Sequence, residues 1–144
     1  MPPAPKTADG VPLGKSQHLS PDDPNLAGGV YSRFNKLNDT PEGMHDIVVH
    51  GSPDGFARDS AFRQPVSPAT LAEEAALAGR VDEPVRLVSC EAACGPAAQE
   101  LADALGAPVL AADDLVWITQ SGNVVAGPKP NIPTGNWTWF MPQA

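Results

Sequence analysis

His50 and Cys90 stand 40 positions apart, and each closes a short apolar run: Asp46-Ile47-Val48-Val49-His50 and Val85-Arg86-Leu87-Val88-Ser89-Cys90. A thiol beside an imidazole is the nucleophile–base pair of acyl transfer through a thioester. A free thiol is mostly protonated at neutral pH, its unperturbed pKa being about 8.5. A nearby imidazolium and the start of a following helix both lower that value, and Cys90 comes just before a helix start at Gly95-Pro96. The oxyanion of the transition state also needs donors. Gly51, directly after His50, lets a substrate carbonyl approach the main chain. The main-chain N–H groups of Gly51 and Cys90 are therefore the candidate oxyanion donors. Cys94 is read as a packed thiol or helix-start residue, because Cys90 is the cysteine that ends the run. His18 and His45 fall outside this pattern and are read as surface residues.

These residues need elements that bring them together. The run at 46–50 reads as a buried strand, stopped by the turn formers Gly51-Ser52-Pro53-Asp54-Gly55. Ser67-Pro68 marks a helix start, with Ser67 as N-cap, and Gly79 follows its end, so a helix covers about residues 68–78. Val85–Ser89 is a second strand. A second helix begins with Pro96 at its first position; Ala98, Leu101, Ala102 and Leu105 lie on one face of it, and Gly106 ends it. Val109–Ala112 is a third strand. Residues 115–119 and 123–126 read as a hairpin, 128–135 as a Pro/Gly loop, and Trp137–Phe140 as a last strand. The alternation of strand and helix predicts parallel strands joined by crossovers. One crossover separates His50 from Cys90, which puts them at the carboxyl ends of neighbouring strands about 4.8 Å apart, where ligands bind in such sheets. Trp117, Trp137 and Trp139 are assigned to packing.

The 144 residues suit one domain. Six of the 17 prolines fall in the first 24 residues, so residues 1–28 read as an extended arm or linker and 29–144 as the domain. Residues 30–37 fit a strand or a short helix. The net charge of −8, with scattered cations, argues against nucleic-acid and anionic-membrane partners. No apolar run approaches the roughly 20 residues of a membrane span, and the start lacks a signal-peptide pattern. This points to a cytoplasmic protein, or one released by another route or within a longer polypeptide. Two closely spaced cysteines do not make a disulfide framework.

The segments Ile47-Val48-Val49-His50-Gly51 and Arg86-Leu87-Val88-Ser89-Cys90 resemble the histidine-glycine and cysteine motifs of caspase-like (clan CD) cysteine peptidases. The resemblance implies an α/β, caspase-like fold: a largely parallel central sheet with flanking helices, followed here by a C-terminal β-hairpin plus strand. It implies Cys90 as nucleophile and His50 as general base or acid, with no metal and no cofactor. Val88-Ser89-Cys90-Glu91-Ala92 departs from the Gln-Ala-Cys-x-Gly signature of caspases, so cleavage after aspartate is not expected. A narrower resemblance, to C-terminal domains of bacterial polymorphic toxins and Rhs-type proteins, is carried by residues 50–56, Ser89-Cys90-Glu91, residues 101–109, Val116-Trp117 and the Gly135–Pro142 ending. It implies a toxin or effector module with a protein or peptide substrate and a cognate immunity protein. Ser52, Asp54, Asp113 and Asp114 flank the strand ends and are candidate substrate-binding residues. Asp113 and Asp114 suit a basic side chain, or equally a turn. Three alternatives stay open. They are a zinc site of His50, Cys90 and Cys94, whose spacing fits zinc deaminases poorly; a catalytically silent caspase-like binding module; and a Cys-His deamidase or transglutaminase.

Overall fold

A computed structural model describes residues 15–18, 40–59, 62–118, 123–129 and 131–143, with the main chain alone for 15–18. The elements are β1 (Lys15–His18), β2 (His45–Val48), β3 (His50–Ser52), β4 (Gly55–Ala57), β5 (Pro65–Val66), α1 (Pro68–Leu77), β6 (Val85–Val88), α2 (Ala97–Leu105), β7 (Val109–Ala112), β8 (Val116–Ile118), β9 (Val124–Ala126) and β10 (Trp137–Phe140). Five strands form the central sheet in the order β1-β2-β6-β7-β10. The first four run parallel, and β10 closes the edge antiparallel to β7. A small antiparallel sheet, β3-β4-β5, and the hairpin β8-β9 complete the architecture. The chain is thus mixed α/β with a largely parallel central sheet.

Alternation along the strands divides the core in two. Ile47, Val85, Leu87, Val109 and Ala111 pack against Leu71, Ala75, Ala98, Leu101 and Ala102 of the helices. Val48, Val88 and Ala112 pack against Val116, Ile118 and Ala126 of the hairpin. Both described helices therefore lie on one face, and the hairpin covers the other. The cause is strand order. The crossovers β2-α1-β6 and β6-α2-β7 advance across the sheet in the same direction, and two crossovers of one hand then share a face. Alanines at 75, 98 and 102 let the helices approach closely, and each buried leucine contributes about 1.5–3 kcal/mol.

The helix limits follow from local chemistry. Ser67 is extended (φ −75°, ψ 154°), and its Oγ accepts a hydrogen bond from the Thr70 N–H at 3.1 Å. Gly106, at φ 67°, ends α2 with its N–H on the Ala102 carbonyl. Pro96 is the residue before α2, which begins at Ala97 and not at Pro96.

Two further expectations are corrected. Lys15–His18, inside the segment read as an arm, pairs parallel with β2 as an edge strand. Edge strands accept polar residues, so proline counting and the absence of large apolar side chains conceal them. His45, read as a surface residue, is 1% exposed, because β2 is flanked by β1 and β6 from its first residue. The rest of residues 1–39, including the ambiguous 30–37 segment, lies outside the described residues. Among the described residues, no helix is long and apolar enough to cross a membrane.

Candidate active site

The register of β2 on β6 pairs His45 with Val85, Asp46 with Arg86, Ile47 with Leu87 and Val48 with Val88. Every pair has the same 40-residue offset that separates His50 from Cys90. The pairing outlasts β2, since the Val49 N–H donates to the Val88 carbonyl at 3.2 Å. Gly51 then lies directly on the neighbouring chain. A Cβ there would stand 2.0 Å from Ser89 Oγ and 2.8 Å from the Cys90 carbonyl oxygen. The structure thus brings the main chain of His50-Gly51 against Ser89-Cys90 at the carboxyl ends of adjacent parallel strands. Glycine is needed at 51 by this contact, a reason distinct from room for a substrate carbonyl. The β3-β4 turn is held from its other side by a second close approach: a Cβ on Gly95 would fall 1.9 Å from the Pro53 carbonyl oxygen.

Cys90 is half-buried and points to the hairpin face, beside Val88. Its Sγ accepts from the Val116 N–H at 3.3 Å and donates to the Val116 carbonyl at 3.7 Å. The main chain turns sharply next to it, at Glu91 in the left-handed region (φ 56°), whose N–H reaches the Asp114 carbonyl at 2.9 Å. Burial pushes the Cys90 thiol up; the Val116 N–H pulls it partly back, and the carboxylates of Glu91 and Asp114 raise it further. The expectation of a thiolate favoured by a helix start is corrected here. A short 3-10 turn, Ala92–Cys94, separates Cys90 from α2, and the neighbouring charges are negative.

Cys94 is exposed, neither packed nor at a helix start, and its Sγ donates to the Asp113 carbonyl at 3.2 Å. Its thiol is also pushed up, by desolvation first and then by the carboxylates of Glu91, Asp113 and Asp114.

The candidate substrate-binding residues divide. The Asp113 carboxylate accepts from the Asn136 N–H at 2.8 Å and from its side-chain amide at 3.3 Å, and these bonds hold its pKa below the usual range. Asp113 braces the end of β7 to the start of β10. Asp114 accepts from the Leu115 N–H at 2.7 Å, and Ser52 Oγ from the Asp54 N–H at 3.1 Å, so both shape turns. Asp54 is exposed and lines a groove of about 400 Å³ between β4-β5 and the N-terminal ends of α1 and α2. Neither His50 nor Cys90 lines that groove. Among the described residues no group of three or more His, Cys, Asp or Glu could hold a metal ion.

The sequence reading missed a buried ion pair on the hairpin face. Arg86 Nη2 and Nε donate to Asp46 Oδ2 and Oδ1 at 2.6 and 3.0 Å, and the Thr40 hydroxyl donates to Oδ2 at 2.7 Å. Asp46 is fully buried and Arg86 is 8% exposed. The available signal was opposite charges inside two apolar runs at the 40-residue offset. Trp139, assigned to packing, is 49% exposed on β10, whereas Trp137 packs on the hairpin cluster and Trp117 Nε1 donates to the Gly127 carbonyl at 2.9 Å.

No curated protein and no solved structure matches the chain. A family described as a domain of unknown function, DUF8616, matches residues 15–126, from the edge strand β1 to the end of the hairpin and including His50 and Cys90. With most of its length covered by that match, the chain belongs to the DUF8616 family.

Proposed function

We propose that this domain is a cysteine peptidase-like enzyme of toxin or effector type, performing thioester acyl transfer on a protein or peptide substrate. Cys90 is the nucleophile, and His50 is the general base and acid. The observation that carries this is the seating of His50-Gly51 on Ser89-Cys90 at the carboxyl rim of a parallel sheet. The resemblance to caspase-like peptidases and polymorphic-toxin domains supports it. The raised thiol makes the resting nucleophile a protonated one. Attack then couples two events: the Sγ–C bond forms as the thiol proton passes to the His50 imidazole. Main-chain N–H groups of Gly51 and Cys90 receive the oxyanion, each worth about 3–4 kcal/mol in the transition state. The imidazolium returns its proton to the leaving amine. Water, deprotonated by the neutral imidazole, then hydrolyses the thioester.

The test is mass spectrometry of a treated cell lysate. New peptide termini that vanish with Cys90→Ala and with His50→Ala, both folded, are expected. A mass gain of about 1 Da on glutamine would instead mark the deamidase form of the same thioester chemistry. Undiminished activity in either variant would overturn the assignment. A second reading, a silent binding module, is favoured by the enclosure of the thiol under Val116. In that case Cys90→Ala leaves the biological effect of the domain intact.

A further inference from the structure

The groove beside the β3-β4 turn has an apolar lining, with Phe56 and Val66 from the small sheet and Pro68 and Ala97 from the first positions of the two helices. Asp54 and Glu100 also line it, both exposed, and no lysine, arginine or histidine does. Among the described residues, neither carboxylate has an ion-pair partner. Two helix N-termini face the same space, each equivalent to about half a positive charge. Together they offset about one of the two negative charges. The contribution of α1 to anion binding is smaller still, because Ser67 already caps it and Pro68 has no N–H. The groove is therefore electronegative over an apolar floor. That combination fits a cation on an aliphatic stem, with methylenes against Pro65 and Pro68, which keep exposed surface, and the charged head toward the carboxylates.

We infer that this groove docks a lysine- or arginine-bearing segment of another polypeptide. The inference does not rest on catalysis, and the test uses the full chain carrying Cys90→Ala, so a failure of turnover leaves it untouched. The probe is a fluorescein-labelled hexapeptide of alternating lysine and alanine, followed by fluorescence anisotropy at physiological ionic strength. Saturable binding is expected. Asp54→Asn with Glu100→Gln should weaken it about threefold to tenfold, the range for two exposed charge pairs. Glu73→Gln with Asp82→Asn, exposed positions outside the groove, removes the same charge and should leave the affinity unchanged. Circular dichroism verifies the fold of each variant. No saturable binding, equal weakening by both double variants, or equal affinity for a glutamate-alanine peptide would overturn the inference.

Discussion

Replacing Gly51 by alanine tests the close approach of Gly51 to Ser89 and the Cys90 main chain. The new Cβ would stand 2.0 Å from Ser89 Oγ, 2.8 Å from the Cys90 carbonyl oxygen and 3.1 Å from Ser89 Cβ. Optimal non-bonded separations are about 3.5 Å or more, so one strand must yield by roughly an ångström. Ser89 is 2% exposed and cannot swing into solvent. Overpacking at such a site costs about 1–3 kcal/mol. With a urea slope of about 1–3 kcal/mol per molar, the unfolding midpoint should fall by roughly 1 M. Ser89→Ala divides the cost. Its Oγ is buried without a hydrogen-bond partner among the described residues, so its removal alone should be neutral or stabilising. In the double variant the 2.0 Å overlap disappears and the carbonyl contact remains. Part of the loss should return, as a coupling of about 1 kcal/mol. Urea titrations of the four proteins, followed by tryptophan fluorescence, measure this. A Gly51→Ala protein as stable as its parent would refute the claim that close approach, and not substrate access, dictates glycine here.

Other outcomes follow from the same geometry. Asp46→Asn strips the buried Arg86 guanidinium of its carboxylate and should cost about 3–5 kcal/mol, while Asp46→Leu with Arg86→Met should recover most of it in the same titration. Iodoacetamide should label exposed Cys94 before Cys90. In Cys94→Ser, labelling of Cys90 should be slow at pH 7 and climb only beyond the ordinary thiol range near 8.5, because its proton is held more tightly than in a free thiol; rapid labelling of Cys90 at pH 6 would contradict this. The same raised pKa contributes stability that is fully present below the unfolded thiol value and lost as pH rises through the folded one. Parent and Cys90→Ala stability curves should therefore differ in slope only at alkaline pH. Asp113→Ala should speed hydrogen exchange in β10, since it removes the bonds that hold Asn136.

The elements nearest the candidate site were readable because their signals are local. Ser67-Pro68 caps α1 through a bond three residues long, and the apolar runs at 46–49 and 85–88 announce buried strands on their own. The approach of the 50–51 segment to the 89–90 segment was readable because one crossover joins their strands. What escaped depends on partners distant in sequence. Lys15–His18 becomes a strand only because β2 offers it a main-chain ladder. The Cys90 environment is set largely from more than 20 residues away: burial under the hairpin outweighs the thiolate cues visible around Cys90 itself, the Asp114 carboxylate adds to that, and the Val116 N–H only partly offsets it. Asp113 looked like a site residue, but Asn136 occupies its carboxylate.

The border strand β1 has a practical corollary. A fragment trimmed at residue 29, where composition alone suggests cutting, would strip His45–Val48 of its outer neighbour and leave a buried ribbon with bare amides along one side. Such a ribbon recruits foreign strands. Shortened versions of this protein should thus clump or exchange segments for a reason unrelated to any chemistry at Cys90.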